Sequence, residues 1–119
     1  MQDLEQLKEH QEYKLTKLMI KGVIRQVASE QMNLNRFVDI DEDSNTMSFL
    51  KIGLKGQQED YIRFVVFHYP STNNIDVSYA LYEKRKRVNY RELNQVDVNN
   101  LYNLLMQVIN EVIPCQQQL

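Results

Sequence analysis

The chain has 119 residues, of which 43% are hydrophobic, and its formal net charge is −2. This length suits one domain, which can bury roughly two-thirds of the surface that the unfolded chain exposes. The apolar content excludes general disorder, and the small net charge gives no overall attraction to nucleic acid or to a membrane surface.

Cysteine usage and the apolar runs indicate the compartment in which the protein works. The single cysteine, Cys115, cannot form an internal disulfide, which fits a reducing compartment. No apolar run approaches the length of about 20 residues that a bilayer-spanning helix needs. The first residues are acidic and polar, unlike a signal peptide. We therefore expect a cytoplasmic protein that does not contact a membrane.

The first predicted element is a helix over residues 3–32, which contain one glycine, Gly22, and no proline. Its apolar residues form two stripes on almost opposite sides of the helix. One stripe consists of Leu4, Leu7, Leu15 and Leu18. The other consists of Ile20, Val23, Ile24 and Val27. A straight helix buries both stripes only if two surfaces cover it, whereas a bend near Lys21-Gly22 lets each half pack separately.

The second half of this helix, Met19–Ala28, is predicted to lie on the sheet. That arrangement leaves the first half for another subunit or a partner protein. The alternative is that Leu4 and Leu7 pack on the C-terminal helix of the same chain.

Four strands joined by short polar turns are predicted to form an antiparallel sheet over residues 36–88. Their bounds are Arg36–Asp41, Thr46–Leu54, Tyr61–Tyr69 and Ile75–Glu83. The third strand is the richest in aromatic and β-branched residues, and both of its faces are largely apolar. This pattern indicates an inner strand that a helix covers on one side. Residues 89–95 are polar and are predicted to connect the sheet to the last helix.

The last predicted helix spans residues 97–113, with Asp97 as its N-cap and Pro114 at its end. Its apolar stripe consists of Leu101, Leu104, Leu105, Val108 and Val112. Residues 114–119 are predicted to be a tail. The fold class is therefore α+β in a single domain over residues 1–119. A four-stranded antiparallel β-meander is flanked by a long N-terminal helix and a C-terminal helix, both on one face.

The sheet face without helices is predicted to be an association surface. Its apolar side chains come from a set that includes Phe49, Val65, Phe67, Tyr69 and Tyr82. Such a patch is too apolar to be left fully in water. We expect a homodimer that forms either through this face or through the first helix.

Residues that could carry catalysis are poorly placed in this sequence. His68 alternates with Phe64 and Val66 along a strand and has no proton-exchange partner at a suitable spacing, so a structural role is favoured. Cys115 follows Pro114, where a nucleophile is not held rigidly. No glycine-rich phosphate loop or nucleophile-elbow motif is present. We expect no enzyme activity and no cofactor.

The segment 39–45 shares its alternating aspartates with the start of an EF-hand calcium loop. Ser44 stands where that loop needs a glycine, and Leu50 stands where its closing glutamate belongs. Strand alternation produces the same spacing, with the acids on the outer face of a hairpin. We therefore expect no metal site.

Two basic clusters are candidates for contact with phosphates or with an acidic protein surface. The first is a helical stripe formed by Lys14, Lys17, Lys21 and Arg25. The second follows the last predicted strand and consists of Lys84, Arg85, Lys86 and Arg87. Neither cluster requires a ligand: the first is also explained as a solvated helix face, and the second as a charged end that keeps the sheet soluble. The net acidic charge of the chain favours this interpretation.

The order of helix, strands and helix invites comparison with the double-stranded-RNA-binding domain, whose last helix begins with lysines that clamp phosphates. Here that helix begins Asp97-Val98-Asn99-Asn100, which is the wrong charge, so we exclude this family. In element order and size the chain resembles secretion-type chaperones, small acidic dimers that hold effector segments. We predict a non-enzymatic protein-interaction module of the adaptor, chaperone, immunity or inhibitor type. Nucleic-acid binding through the basic clusters is the alternative.

Overall fold

The computed structural model describes residues 4–42, 46–54, 56, 59–69 and 74–113, without the side chains at positions 5, 6, 9, 10 and 54. These residues form two layers, a five-stranded antiparallel sheet and, on one of its faces, the helices. The predicted α+β class and the antiparallel meander are confirmed, with one strand more than predicted.

Helix α1, Leu4–Asn33, is unbroken through Lys21-Gly22, where the sequence left a bend open. Its buried face is formed by Thr16, Ile20, Ile24, Val27, Ala28 and Gln31. Spacings of three and four residues place these side chains along one side of the helix, over the sheet. The prediction that the second half of the helix packs on the sheet is confirmed. The turn after the helix contains Asn35 with φ 61°, a left-handed conformation that asparagine tolerates.

The strands pair in sequence order, each antiparallel to the next. They are β1 (Arg36–Asp41), β2 (Met47–Leu54), β3 (Tyr61–His68), β4 (Ile75–Glu83) and β5 (Lys86–Val96). The register places Leu50, Phe64 and Tyr79 in one row beneath the helices. Because side chains alternate along a strand, the adjacent row, which contains Lys51 and Arg63, points to the opposite face. The first four strands agree with their predicted bounds to within one residue.

The prediction of four strands is wrong by one, because residues 86–96 form β5 at the edge of the sheet. Most residues of this strand are polar, and Val96 is the only one that is even partly buried. Its apolar residues also lose strict alternation, since the register against β4 shifts between Leu81 and Tyr82 and again between Ile75 and Val77. The sheet therefore extends to Val96 rather than to residue 88.

Lys84 and Arg85 form the two-residue turn between β4 and β5, with φ values of 52° and 67°. Positive φ at both residues gives the twist that hairpins prefer, but side chains other than glycine are strained there. Two hydrogen bonds hold the turn. The Lys84 N–H donates to the Asp60 carboxylate at 2.8 Å, and the Arg85 N–H donates to the Glu59 carbonyl at 2.9 Å. The turn is thus tied to the residues that precede β3.

Asp97 is a helix cap, as predicted, because its carboxylate accepts a hydrogen bond from the Asn99 N–H at 2.9 Å. A 3-10 turn, Val98–Asn100, comes first, and helix α2, Leu101–Val112, follows. The buried residues of α2 are Leu101, Leu105, Val108 and Ile109. They join the buried side chains of α1 and of the inner strands in one core, so both helices lie on the same face of the sheet.

Candidate protein-binding surfaces

The sheet face opposite the helices, which we name the open face, carries aromatic rings and cations. Its register positions include Phe37, Phe49, Lys51, Tyr61, Arg63, Phe67, Tyr82, Arg87 and Tyr90, with Tyr69 just beyond β3. Most of these rings are half-buried, whereas Tyr69 and Tyr90 are exposed. The face therefore combines apolar area with positive groups at the surface.

Cations of the open face lie over its aromatic rings. The Lys51 ammonium is 4.0 Å from the centroid of the Tyr61 ring, and the Arg63 guanidinium is 4.9 Å from the centroid of the Phe49 ring. Such contacts are attractive because the ring face is the negative end of its quadrupole. The cations shield part of the aromatic area from water while their polar atoms stay at the surface.

Ring pairs and one hydrogen bond fix the positions of the aromatic side chains on the open face. Tyr61 and Tyr82 stack with centroids 4.7 Å apart, and Phe67 meets Tyr69 edge to face at 4.8 Å. The Tyr69 hydroxyl donates a hydrogen bond to the Asp76 carboxylate. This bond raises the pKa of Tyr69, because ionisation would remove the donated proton and place two negative charges side by side. The aromatic side chains are therefore held by one another and by the sheet.

Charge on the open face is balanced. Its cations include Lys51, Arg63 and Arg87, and the Arg87 guanidinium lies 5.0 Å from the centroid of the Tyr90 ring. Register places four acids on the same face: Asp39, Asp41, Asp76 and Glu92. The open face therefore offers no excess of positive charge to a polyanion.

Sequence reasoning identified only part of this surface. The structure brings the predicted residues Phe49, Phe67 and Tyr69 onto it. Lys51 and Arg63 were not predicted as site residues. Alternation along β3 already placed Arg63 beside Phe67, so a signal for Arg63 existed. The position of Lys51 depends on the pairing of β2 with β3, which alternation does not specify.

The second candidate surface is the leucine stripe of α1, formed by Leu4, Leu7, Leu15 and Leu18. These side chains are 73%, 39%, 59% and 67% exposed. They lie on the side of α1 away from the sheet, almost opposite the buried face. This exposure contradicts the alternative in which Leu4 and Leu7 are buried against the C-terminal helix.

The four residues of the basic stripe of α1 differ in their contacts and exposure. Arg25 forms an ion pair with Glu42 at 3.0 Å. Lys17 and Lys21 are half-buried and line a small recess at the end of β3, whereas Lys14 is exposed. The four residues therefore do not act as one uniform cationic ridge.

The other basic cluster lies at the opposite end of the sheet. It consists of the exposed residues Lys84, Arg85, Lys86 and Arg87. Within it, Arg85 forms an ion pair with Glu59 at 3.6 Å. The basic stripe of α1 lies toward the far end, because Tyr13 of α1 stacks on His68, the last residue of β3. The structure does not join the two clusters into one surface.

An apolar groove of about 510 Å³ lies where α2 ends over the sheet. Leu81, Val88, Val112 and Ile113 line it, with Lys84 among its polar neighbours. The groove opens at the end of the sheet, because Tyr61 and Tyr82 of the open face also line it.

Metal ligands do not gather in the described part of the chain. Within those residues, no three His, Cys, Asp or Glu side chains come close enough to hold a metal ion. Asp43, Ser44 and Asn45 of the calcium-like segment lie outside the described residues. No described helix combines the length and the apolar character needed to cross a membrane.

No protein-family model, no curated protein and no solved structure matches this chain. The function is therefore inferred from the surfaces described above. Exposed large apolar side chains occur on the open face and on the leucine stripe, and also at Met32, Leu34, Val88 and Leu93.

Proposed function

We propose that this chain is a non-enzymatic protein-binding module, of the adaptor, chaperone, immunity or inhibitor type, that engages its partner through the open face. One observation carries the proposal: helices cover one face of the sheet, while the other presents aromatic rings with cations above them. Aromatic residues and arginine are enriched in protein interfaces and dominate their binding energies. The single cysteine supports a cytoplasmic location.

The composition of the open face indicates the chemistry of its partner. Phe49 and Phe67 offer apolar area, and Lys51 and Arg63 have polar atoms at the surface that can turn toward a carboxylate. A protein segment that carries both apolar and acidic side chains matches this pattern. The balanced charge of the face argues against nucleic acid as its ligand.

The environment of His68 supports the non-enzymatic part of the proposal. This residue is 3% exposed, and its ring stacks on Tyr13 with centroids 4.4 Å apart. A general base must come within hydrogen-bond reach of the proton that it removes. A substrate outside the fold cannot approach the His68 imidazole in this position.

Photo-crosslinking in the native host tests binding through the open face. A photoreactive phenylalanine analogue replaces Phe67 on the open face and, in a matched control, replaces Gln107, which is exposed on α2. We expect one discrete protein adduct from position 67 and none from position 107. Equal adducts from both positions, or none from position 67, would refute the proposal.

A pair of charge reversals adds specificity to this experiment. Arg63→Glu removes a cation from the open face and should abolish the adduct at position 67. Arg91→Glu makes the same change in β5 on the side of the sheet that faces the helices, and should leave the adduct unchanged. Circular dichroism shows whether both variants keep their fold, which we expect because both arginines are exposed.

Phosphate binding through the basic clusters is the alternative function. Its support is the exposure of Lys14 and of the residues Lys84–Arg87. Because the two clusters lie at opposite ends of the sheet, each would act alone. In an electrophoretic shift assay this binding would weaken steeply with salt and would be lost when Lys84 and Arg85 are both changed to Glu. Absence of retardation at low salt would dispose of this alternative.

A further inference from the structure

The leucine stripe of α1 has a mirror-symmetric spacing. Counted outward from Gln11, Leu7 and Leu15 lie four residues away on either side, and Leu4 and Leu18 lie seven away. At 3.6 residues per turn, these positions fall within an arc of about 80° on the helix. When the helix is turned end for end, the stripe presents leucines at the same levels.

We propose that a second copy of this chain covers the leucine stripe, with the two α1 helices antiparallel and a two-fold axis at Gln11. The axis brings Leu4 opposite the partner's Leu18 and Leu7 opposite the partner's Leu15. Gln11 meets its own copy, and each side-chain amide has a donor and an acceptor for the other. The contact is isologous, as a two-fold dimer requires. This inference is independent of the binding of another protein through the open face.

Together with the lysine stems beside it, the exposed area of the stripe reaches the size of a small dimer interface. The exposure of the four leucines corresponds to roughly 800 Å² for a pair of chains, close to the lower limit of about 1,000 Å² for a specific interface. The aliphatic stems of Lys8 and Lys14, which flank the stripe, supply the remainder. Since the stripe faces away from the sheet, the two sheets lie on the outside of the dimer and both open faces stay accessible.

The first turns of α1 extend beyond the part of the helix that packs on the sheet. All described side chains before Tyr13 are exposed: Leu4, Leu7, Lys8, Gln11 and Glu12. The sheet therefore gives this segment no apolar support. Most of the stability of a helix in a protein comes from packing of its apolar face, so a second helix packed along the stripe stabilises this end of α1.

Charge selects the antiparallel orientation. In a parallel pair the two-fold axis runs along the helices, so Lys8 and the partner's Glu12 would lie on opposite sides of the seam. In the antiparallel pair, Lys8 lies on the same side of the seam as the partner's Glu12. By symmetry, Glu12 lies on the same side as the partner's Lys8. Charges that flank a helix–helix seam set its orientation in this way.

Disulfide formation between engineered cysteines tests the orientation, in chains where Cys115→Ser removes the native thiol. Gln11→Cys places its thiol on the two-fold axis and should crosslink to its own copy under mild oxidation, because the two Cα atoms lie within disulfide range. Leu4→Cys alone and Leu18→Cys alone should stay monomeric on a non-reducing gel. A mixture of these two variants should give the crosslinked pair.

Light scattering tests the association itself. The wild-type chain should have the mass of two copies, and a variant with both Leu7→Gln and Leu15→Gln should have the mass of one. Met32→Gln, at another exposed position of α1 beyond the proposed contact, is the matched control and should remain dimeric. A monomeric wild-type chain, or a Leu4→Cys variant that crosslinks to its own copy as readily as Gln11→Cys, would overturn the proposal. Neither result affects the adduct expected from position 67, so the two proposals fail separately.

Discussion

The two faces of α1 should respond very differently to the same kind of truncation. Ile24 is 0% exposed, whereas Leu18, on the other side of the same helix, is 67% exposed. Ile24→Ala should lower the free energy of unfolding by about 2–5 kcal/mol, because it removes buried carbon atoms and leaves a cavity. Leu18→Ala deletes a similar volume from the surface, so the expected change is below about 0.5 kcal/mol.

Urea unfolding followed by circular dichroism measures both changes. A domain of this length has a stability of roughly 6–18 kcal/mol, so Ile24→Ala should still fold in water and should unfold at a lower midpoint with a similar slope. The measurement begins with dilute protein, where the chain is monomeric. At higher concentration the pairing of α1 adds stability to the wild type by mass action, and Leu18→Ala should lose that gain.

Two results would refute this reasoning about α1. If Leu18→Ala destabilised the dilute monomer as much as Ile24→Ala, the leucine stripe would be packed inside its own chain. If Ile24→Ala changed the free energy of unfolding by less than about 1 kcal/mol, its side chain would not lie in a closely packed core.

Three further predictions follow from particular contacts. Gly53→Ala should lower stability by about 1–3 kcal/mol in thermal melts, because its Cβ would lie 2.7 Å from the Asp60 carbonyl oxygen. Asp97→Ala should cost about 1 kcal/mol in the same assay, since a helix cap is lost. Tyr69→Phe should remove one late-ionising phenol from an ultraviolet pH titration, because the hydrogen bond to Asp76 raises the pKa of Tyr69. Folding raises this pKa, so the stability linked to the bond is complete below about pH 10 and is lost as the pH rises through the folded pKa.

Each of these predictions has its own contrary outcome. A Gly53→Ala variant that melts like the wild type would mean that β2 and the start of β3 separate easily. Asp97→Asn keeps a capping oxygen, so a loss as large as that of Asp97→Ala would show that the cap is not the cause. A Tyr69→Phe titration that differs from the wild type by one phenol of ordinary pKa would contradict the hydrogen-bond argument.

The fifth strand shows why some strands of a sheet are predicted from the sequence and others are missed. Periodicity detects the contrast between buried and exposed positions, and β3 has that contrast because helices cover one of its faces. Strand β5 lies at the edge and is exposed along nearly its whole length, so it has no contrast to detect. The turn before it, Lys84-Arg85, lacks glycine and asparagine and is held by Asp60, which is distant in the sequence.

The sequence alone assigned each residue of α1 to a side of a helix. Ile24 and Leu18 point in nearly opposite directions if the helix is straight, and the structure decided that α1 continues through Lys21-Gly22 without a break. The sequence also predicted that Met19–Ala28 lies on the sheet, and the buried residues of that half confirm it. The exposure of Leu4 and Leu7 also needed the tertiary structure, because it depends on how far the sheet and α2 extend along α1.

For the open face too, one part of the arrangement follows from the sequence and another part only from the folded structure. Alternation along β3 by itself put Tyr61, Arg63 and Phe67 on one face, because the side-chain period of a strand is two. Only the folded sheet decided that Lys51 lies over Tyr61 and Arg63 over Phe49. Those contacts cross from β2 to β3, and pairing register is set by turns and core packing that act between distant parts of the chain.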